Sequence, residues 1–224
     1  MERRKDFYLY KMLHSEEERA IFREMEKNYL NGFYYKGKGA KNLSEKDIIR
    51  IFTAFYFANP ERIVVPLNDV GVNVDIHTGE FEIIPLTGNF SRPSNEEYTV
   101  ALKKCEMLRT ELSMVNKDFR GKIVYLAQIL RERCIYYLGS DYTGEFISDL
   151  LGHGGNGCGY CTGIARTTAT ILPVYCVRVK SKKETNGMHH IINAYYDETS
   201  KSFLFFSSSR AFLAFSRASA PVAK

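Results

Sequence analysis

Three helices in the first half of the chain are predicted from the spacing of apolar and polar residues. Each begins at a serine followed three residues later by an acid, a pattern that satisfies the unpaired N–H groups of a helix start. The pairs are Ser15 with Glu18, Ser44 with Asp47, and Ser94 with Glu97. The periodicity that follows predicts helices over about 15–31, 44–58 and 94–115.

Two further helices are predicted in the second half of the chain. The first covers 121–138, where one face carries Ile123, Leu126, Ala127, Leu130 and Cys134. Cys134 is therefore expected in the core. The second follows a glycine-rich segment and covers 164–172, where small and apolar residues alternate until Pro173 stops the helix.

Alternating residues predict strands in two parts of the chain. Residues 70–76 alternate between apolar and small or polar types, 77–80 offer a turn, and 81–83 alternate again, which predicts a β-hairpin. Further strands are predicted over 174–180, 189–196 and 202–206.

Composition and charge limit the class of protein. A chain of 224 residues that is 45% hydrophobic can bury a substantial core, and we favour one domain. The net charge of +5 is interspersed with acids, so we expect no nucleic-acid partner. No apolar run is long enough to span a membrane, and the charged start does not resemble a signal peptide. We expect a cytoplasmic protein, or a secreted one if a leader precedes this sequence.

The five cysteines are too few and too irregularly spaced for a disulfide framework, so reduced thiols are expected. Cys161 differs from the others because it stands where the glycine-rich segment 152–157 gives way to a helix. A helix start carries partial positive charge and unpaired N–H groups, which favour a thiolate and can hold an oxyanion. Cys161 is therefore a candidate nucleophile.

A candidate base lies on the strand predicted over 189–196, which carries His189 and His190. Cysteine on a helix followed by histidine on a strand is the arrangement of cysteine acyl transfer, in which the histidine moves the thiol proton. A third polar group normally fixes the imidazole tautomer. The two histidines face opposite sides of their strand, so only one can serve Cys161.

These residues resemble the bacterial transglutaminase-like cysteine enzymes. Gly159-x-Cys161-x-Gly163-x-Ala165 resembles their nucleophile motif, and His190-x-x-Asn193 resembles the His-x-Trp-Asn strand that carries their base. The resemblance is best between about residues 122 and 196, and it is weaker toward the N-terminus, where residues 57–61 resemble an Asp-Asn-Pro-Glu segment of these proteins. The resemblance implies an α+β fold with a papain-like transglutaminase core, in which the nucleophile helix packs on an antiparallel sheet.

The resemblance also implies a division of the chain and a reaction. Residues 1–115 would form a helical N-terminal portion with a β-hairpin, packed on a catalytic core of 116–224 in one compact unit. Cys161 would attack a carbonyl of a peptide or protein to form a thioester, and His190 would shuttle the proton, with His189 as the alternative base. We favour hydrolysis, as in a peptidase, over transfer to an amine, as in a transglutaminase. No cofactor is expected.

The sequence departs from the family pattern at the third catalytic position. Ser207, four residues after Phe203, stands where these enzymes usually have an aspartate, so we expect Ser207 rather than Ser208 to orient the base. Asp197 falls in a predicted turn and is expected to face solvent. Because a serine cannot stabilise an imidazolium by charge, a catalytically impaired peptide-binding or scaffold module is the alternative function.

The pair Cys158 and Cys161 allows two other interpretations. Cys-x-x-Cys at a helix start is the redox motif of thiol–disulfide oxidoreductases, but these place an apolar strand directly before the motif, and here a glycine-rich segment precedes it. Zinc could use the cysteines with His153, His189 or His190. A structural zinc site typically has a second close ligand pair, so we expect no metal.

Overall fold

The structure, a computed structural model, describes residues 2–88, 93–136, 146–152, 157–180, 189–207 and 216–218. The chain divides into two compact units, Met1–Phe90 and Ser91–Lys224. The helix predicted over 94–115 lies in the second of these units, and the division predicted at residue 115 stays a prediction. That the two portions form one compact unit stays a prediction.

The described part of the N-terminal unit combines helices with a three-stranded antiparallel sheet in the order β1-β3-β2. Its elements are α1 (Glu2–Lys11), α2 (Glu16–Asn28), β1 (Tyr35–Lys38), α3 (Glu45–Ala58), β2 (Val70–Asp75) and β3 (Glu80–Pro85). The serine caps predicted for α2 and α3 are present, because each hydroxyl accepts the backbone N–H three residues on. The predicted hairpin is confirmed as β2 and β3, whereas α1 and β1 were not predicted.

The described part of the C-terminal unit contains a four-stranded antiparallel sheet in the order β6-β7-β8-β9 and a two-stranded parallel pair, β4 with β5. Its elements are α4 (Asn95–Met114), α5 (Phe119–Arg133), β4 (Cys134–Tyr136), α6 (Ile147–Leu151), β5 (Gly157–Gly159), α7 (Cys161–Ile171), β6 (Tyr175–Lys180), β7 (His189–Asp197), β8 (Ser202–Phe206) and β9 (Ser216–Ala218). Helices with separate antiparallel sheets confirm the α+β class.

The predicted end of the fourth helix is wrong. Helix α5 ends at Arg133, and Cys134 begins β4, which pairs with β5. The residues Cys134-Ile135-Tyr136 include a β-branched and an aromatic side chain, types that fit a strand, and pairing with β5 overrides the helical periodicity. Cys134 therefore does not lie on a helical core face.

Helix α7 lies at the centre of the C-terminal unit. It packs against α4, α6, β5, β6 and β7, and all its residues after Cys161 are buried. Arg109 of α4 donates a hydrogen bond of 2.5 Å to the carbonyl of Thr170 near the end of α7. A cation at this end is stabilised by the partial negative charge of the helix dipole. Among the described residues, no helix has the length and apolar character needed to cross a membrane.

A buried carboxylate joins α2 to α3 in the N-terminal unit. Glu18, which is only 3% exposed, accepts hydrogen bonds from the backbone N–H of His14 at 2.6 Å and from Arg50 at 2.5 Å. Burial raises the pKa of Glu18, but the hydrogen bonds from Arg50 and His14 outweigh it and hold the pKa below its ordinary value. The ionised carboxylate therefore stabilises the folded unit.

Replacing Arg50 with methionine should lower the free energy of unfolding by about 1–3 kcal/mol, because Glu18 would stay buried without its cation. Arg23→Met is the matched control, since the Arg23 ion pair with Glu16 is exposed and should contribute less than about 0.5 kcal/mol. Urea denaturation measures both changes.

The stability lost in Arg50→Met should depend on pH. The folded pKa of Glu18 lies below its ordinary 4.5, so its contribution is present above that pH and is lost as the pH falls through the folded pKa. The stability difference between Arg50→Met and the native protein should therefore shrink on acidification. Equal losses from Arg50→Met and Arg23→Met would contradict this account.

Candidate active site

Cys161 is the first residue of α7, and its half-buried side chain carries a free thiol. The preceding Tyr160 is the N-cap residue and gives no side-chain capping bond, and the first turn of α7 contains no acid. Helices α2, α3 and α4 all have a serine cap and acidic first turns. No acid of that first turn offsets the partial positive charge at the start of α7.

Gly159 brings the chain into α7 at close range to α6. A Cβ atom at this position would lie 2.7 Å from Cδ1 of Leu150, which is too close for any other residue without a shift. The glycine of the predicted nucleophile motif thus has a packing role. His153, the other residue that the sequence analysis noted in this segment, lies outside the described residues.

Asn193 fixes the middle of α7 to the sheet. Its side chain is fully buried, and Nδ2 donates to the carbonyl oxygen of Ala165 at 2.9 Å and to that of Tyr175 at 3.4 Å. The thiol of Cys176 also donates to the Ala165 carbonyl, at 3.3 Å. Cys161 and Ala165 are four residues apart and share one side of α7, so this contact fixes the turn directly after Cys161.

His190 and Ser207 lie together, as expected from the sequence. Nε2 of His190 is 3.1 Å from Oγ of Ser207, and the donor depends on the histidine tautomer. The hydroxyl can therefore fix the orientation of the imidazole. Ser208, the alternative partner, lies outside the described residues.

Strand alternation places His190 on the sheet face opposite α7. Asn193 bonds to α7, and its cross-strand neighbour Phe206 shares its face. His190 precedes Asn193 by three residues and Ser207 follows Phe206, so both point to the other face. Within the described residues, no hydrogen bond joins Cys161 to His190. The side chain of His189 lies outside the described residues, and the catalytic roles of Cys161, His190 and Ser207 stay a prediction.

The sheet face that carries His190 also carries an aromatic cluster. The ring of Phe203 lies 5.8 Å from that of Tyr175, 5.1 Å from that of Tyr196 and 6.3 Å from that of Phe205. Phe203, Phe205 and Tyr196 are only partly buried. This face therefore offers apolar surface along the same strands as the histidine and serine pair.

Asp197 does not orient His190, because its carboxylate is used in the turn between β7 and β8. It accepts hydrogen bonds from the backbone N–H of Thr199 at 3.1 Å and from the hydroxyl of Ser200 at 2.5 Å. The Ser200 hydroxyl and the Thr199 N–H hold the pKa of Asp197 below its ordinary value.

The other described cysteine side chains are structural. Cys105 and Cys176 are buried, and burial raises the pKa of the Cys105 thiol to about 12. The side chain of Cys158 lies outside the described residues, so the redox interpretation stays untested. The part of the chain that the structure describes contains no cluster of three or more His, Cys, Asp and Glu side chains suited to a metal ion.

Sequence analysis missed Arg166. Its side chain is fully buried in α7, with the guanidinium 5.7 Å from the ring centre of Phe146. The signal was a single charged residue within the small and apolar run that predicted the helix. That distance is within the range of a cation–π contact.

Comparison with known proteins gave no match, either to a protein-family model, to a curated protein or to a solved structure. The similarity to transglutaminase-like enzymes therefore stays a prediction from the motifs around Cys161 and His190.

Replacing Asn193 with leucine should lower the free energy of unfolding by about 1–3 kcal/mol, because it removes the donor to Ala165 inside the core. Asn73→Leu is the matched control, since Asn73 is exposed on β2 and its replacement should change stability by less than about 0.5 kcal/mol. Urea denaturation followed by circular dichroism measures both. Equal stability of the two variants would mean that Asn193 does not hold α7.

Iodoacetamide should modify Cys161 in the folded protein, because its thiol is partly accessible at an uncapped helix start, while buried Cys105 and Cys176 should stay unmodified. Peptide mass spectrometry over time gives the rate at each cysteine, and the urea-unfolded chain is the control. We expect Cys161 to react faster than Cys158, and faster than in the unfolded chain. A slower rate in the folded state would indicate an inert thiol.

Proposed function

We propose that this protein is a cysteine-dependent acyl-transfer enzyme that acts on a peptide or protein substrate. The observation that carries the proposal is the position of Cys161, partly accessible at the start of α7, a helix whose N-cap residue gives no side-chain capping bond and whose first turn contains no acid. The buried contact between Asn193 and Ala165 holds α7 to the sheet one turn after Cys161, and positive charge near the sulfur favours the thiolate form of a nucleophile.

The proposed reaction has two steps. In the first, Sγ of Cys161 attacks a substrate carbonyl carbon, the base accepts the thiol proton, and backbone N–H groups at the start of α7 bind the oxyanion. The carbon–nitrogen bond then breaks, the base gives its proton to the departing amine, and a thioester remains. In the second step, water attacks the thioester and releases the acid, with the thiol restored. We favour water over an amine as the second nucleophile.

The base in this proposal is a histidine at the start of β7. The contact between His190 and Ser207 supports His190 as the base, as expected from the sequence. His190 also lies on the face opposite α7, which supports His189 as the alternative. Separate replacement of the two histidines distinguishes them.

The proposed fold is a transglutaminase-like core of the papain type. Its support is the order of the elements, a nucleophile helix followed by antiparallel strands on which it packs, with the candidate base on the second strand. The α+β fold class does not depend on whether the protein is an enzyme.

A peptide-binding or scaffold module is the second candidate function. The observation that favours it is the partly exposed aromatic cluster on the same sheet face as His190 and Ser207, opposite the face on which α7 packs. In a binding module these side chains would contact an apolar peptide segment, and Cys161 would have no role.

The experiment that separates these functions measures release of peptides from fluorescent casein and incorporation of a fluorescent primary amine into casein. The native protein should release peptides faster than it incorporates the amine. Cys161→Ala should abolish both activities, because the thioester cannot form, while Cys158→Ala should retain them.

Three further variants test which histidine is the base. If His190→Ala loses activity and His189→Ala keeps it, His190 is the base. The reverse result would identify His189 as the base. Ser207→Asp should raise the rate if His190 is the base, since a carboxylate stabilises imidazolium. If Cys161→Ala matches the native protein in every assay, the enzyme proposal is wrong.

A further inference from the structure

Helix α4 exposes an apolar stripe that runs along its length. Val100, Met107 and Met114 are 36%, 70% and 78% exposed, and their spacing of seven residues puts them on one side of the helix. The other side carries the buried residues Ala101, Cys105, Leu108 and Leu112. The helix is therefore apolar on two opposite sides, of which only one is covered by its own chain.

The hydroxyl groups beside the stripe do not make it more polar. Thr99 and Thr110 each donate to the backbone carbonyl four residues earlier, at 2.7 and 3.0 Å. Their hydroxyl hydrogens are thus used within the helix, and their methyl groups widen the apolar surface. The other large exposed apolar residues of the described chain do not form such a repeat along one helix.

The residues around Met107 are arranged with two-fold symmetry. Val100 and Met114 lie seven residues before and after it, and Lys103 and Glu111 lie four residues before and after it. A two-fold axis through Met107, perpendicular to the helix, would place Val100 against Met114 of a second helix. The same axis would place Lys103 against Glu111, so opposite charges meet twice.

We propose that α4 is a dimer interface at which two copies of this chain pair their α4 helices antiparallel. Charge complementarity selects this orientation, because parallel pairing would put Lys103 against Lys103 and Glu111 against Glu111. A hydrogen bond of 2.7 Å from the hydroxyl of Tyr125 holds the Glu111 carboxylate beside the stripe. The stripe spans about 21 Å of helix. An interface of this size is small, so the dimer should depend on concentration.

Analytical ultracentrifugation of the full chain tests the interface. The native protein should shift from monomer to dimer as its concentration rises. Met107→Glu places two carboxylates at the symmetry axis and should weaken association about tenfold or more. Ile76→Glu introduces a carboxylate at an exposed apolar residue in the turn between β2 and β3, and it should leave association unchanged. Thermal melts confirm that both variants are folded.

Cysteine cross-linking tests the orientation. Under mild oxidation Met107→Cys should form a disulfide between two copies, because the two residues meet at the axis. Met114→Cys alone should not cross-link beyond the native protein, whereas the double variant Val100→Cys with Met114→Cys should. Cross-linking of Met114→Cys alone would indicate parallel pairing and overturn the proposal.

Three other results would also overturn it. The native protein could remain monomeric at all concentrations, or Ile76→Glu could weaken association as much as Met107→Glu. The native protein could instead bind anionic lipid vesicles as a monomer, with Met107→Glu abolishing that binding, which would make the stripe a membrane-facing surface.

Discussion

The hydrogen bond from Asn193 to the carbonyl of Ala165 is the contact on which the candidate site depends most. It joins the middle of α7 to β7 inside the core, and Cys176 on β6 bonds to the same carbonyl. Arg109 holds the other end of the helix through Thr170. These contacts join the middle and the C-terminal end of α7 to its neighbours, and Cys161 lies one helical turn before the Ala165 contact.

Local chemistry explains why so much of the fold could be predicted. Ser44 and Ser94 each form a full capping box, a motif whose residues lie within four consecutive positions of the chain. The predicted cap residues of α3 and α4 are therefore the observed ones. The hairpin of β2 and β3 and the strands β6, β7 and β8 follow from alternation and turn residues in the same way. These signals need no partner from elsewhere in the chain.

The features that could not be predicted depend on tertiary contacts. Helical periodicity continues through Cys134, and only pairing with β5 ends α5 before it. Alternation predicts that His189 and His190 face opposite sides of β7, but it does not say which side meets α7. Asn193 decides this point, and its bond to Ala165 leaves His190 with Ser207 on the other face. The burial of Arg166 likewise depends on how α7 packs against its neighbours.

The proposal that Cys161 is a nucleophile is tested most directly by trapping the thioester that it would form. The folded protein would be mixed with a small activated ester and examined by intact-protein and peptide mass spectrometry. We expect one acyl group on Cys161 that hydroxylamine removes and that is absent from Cys161→Ala. Acylation spread equally over Cys158 and Cys161, or no acylation of the folded protein, would contradict it.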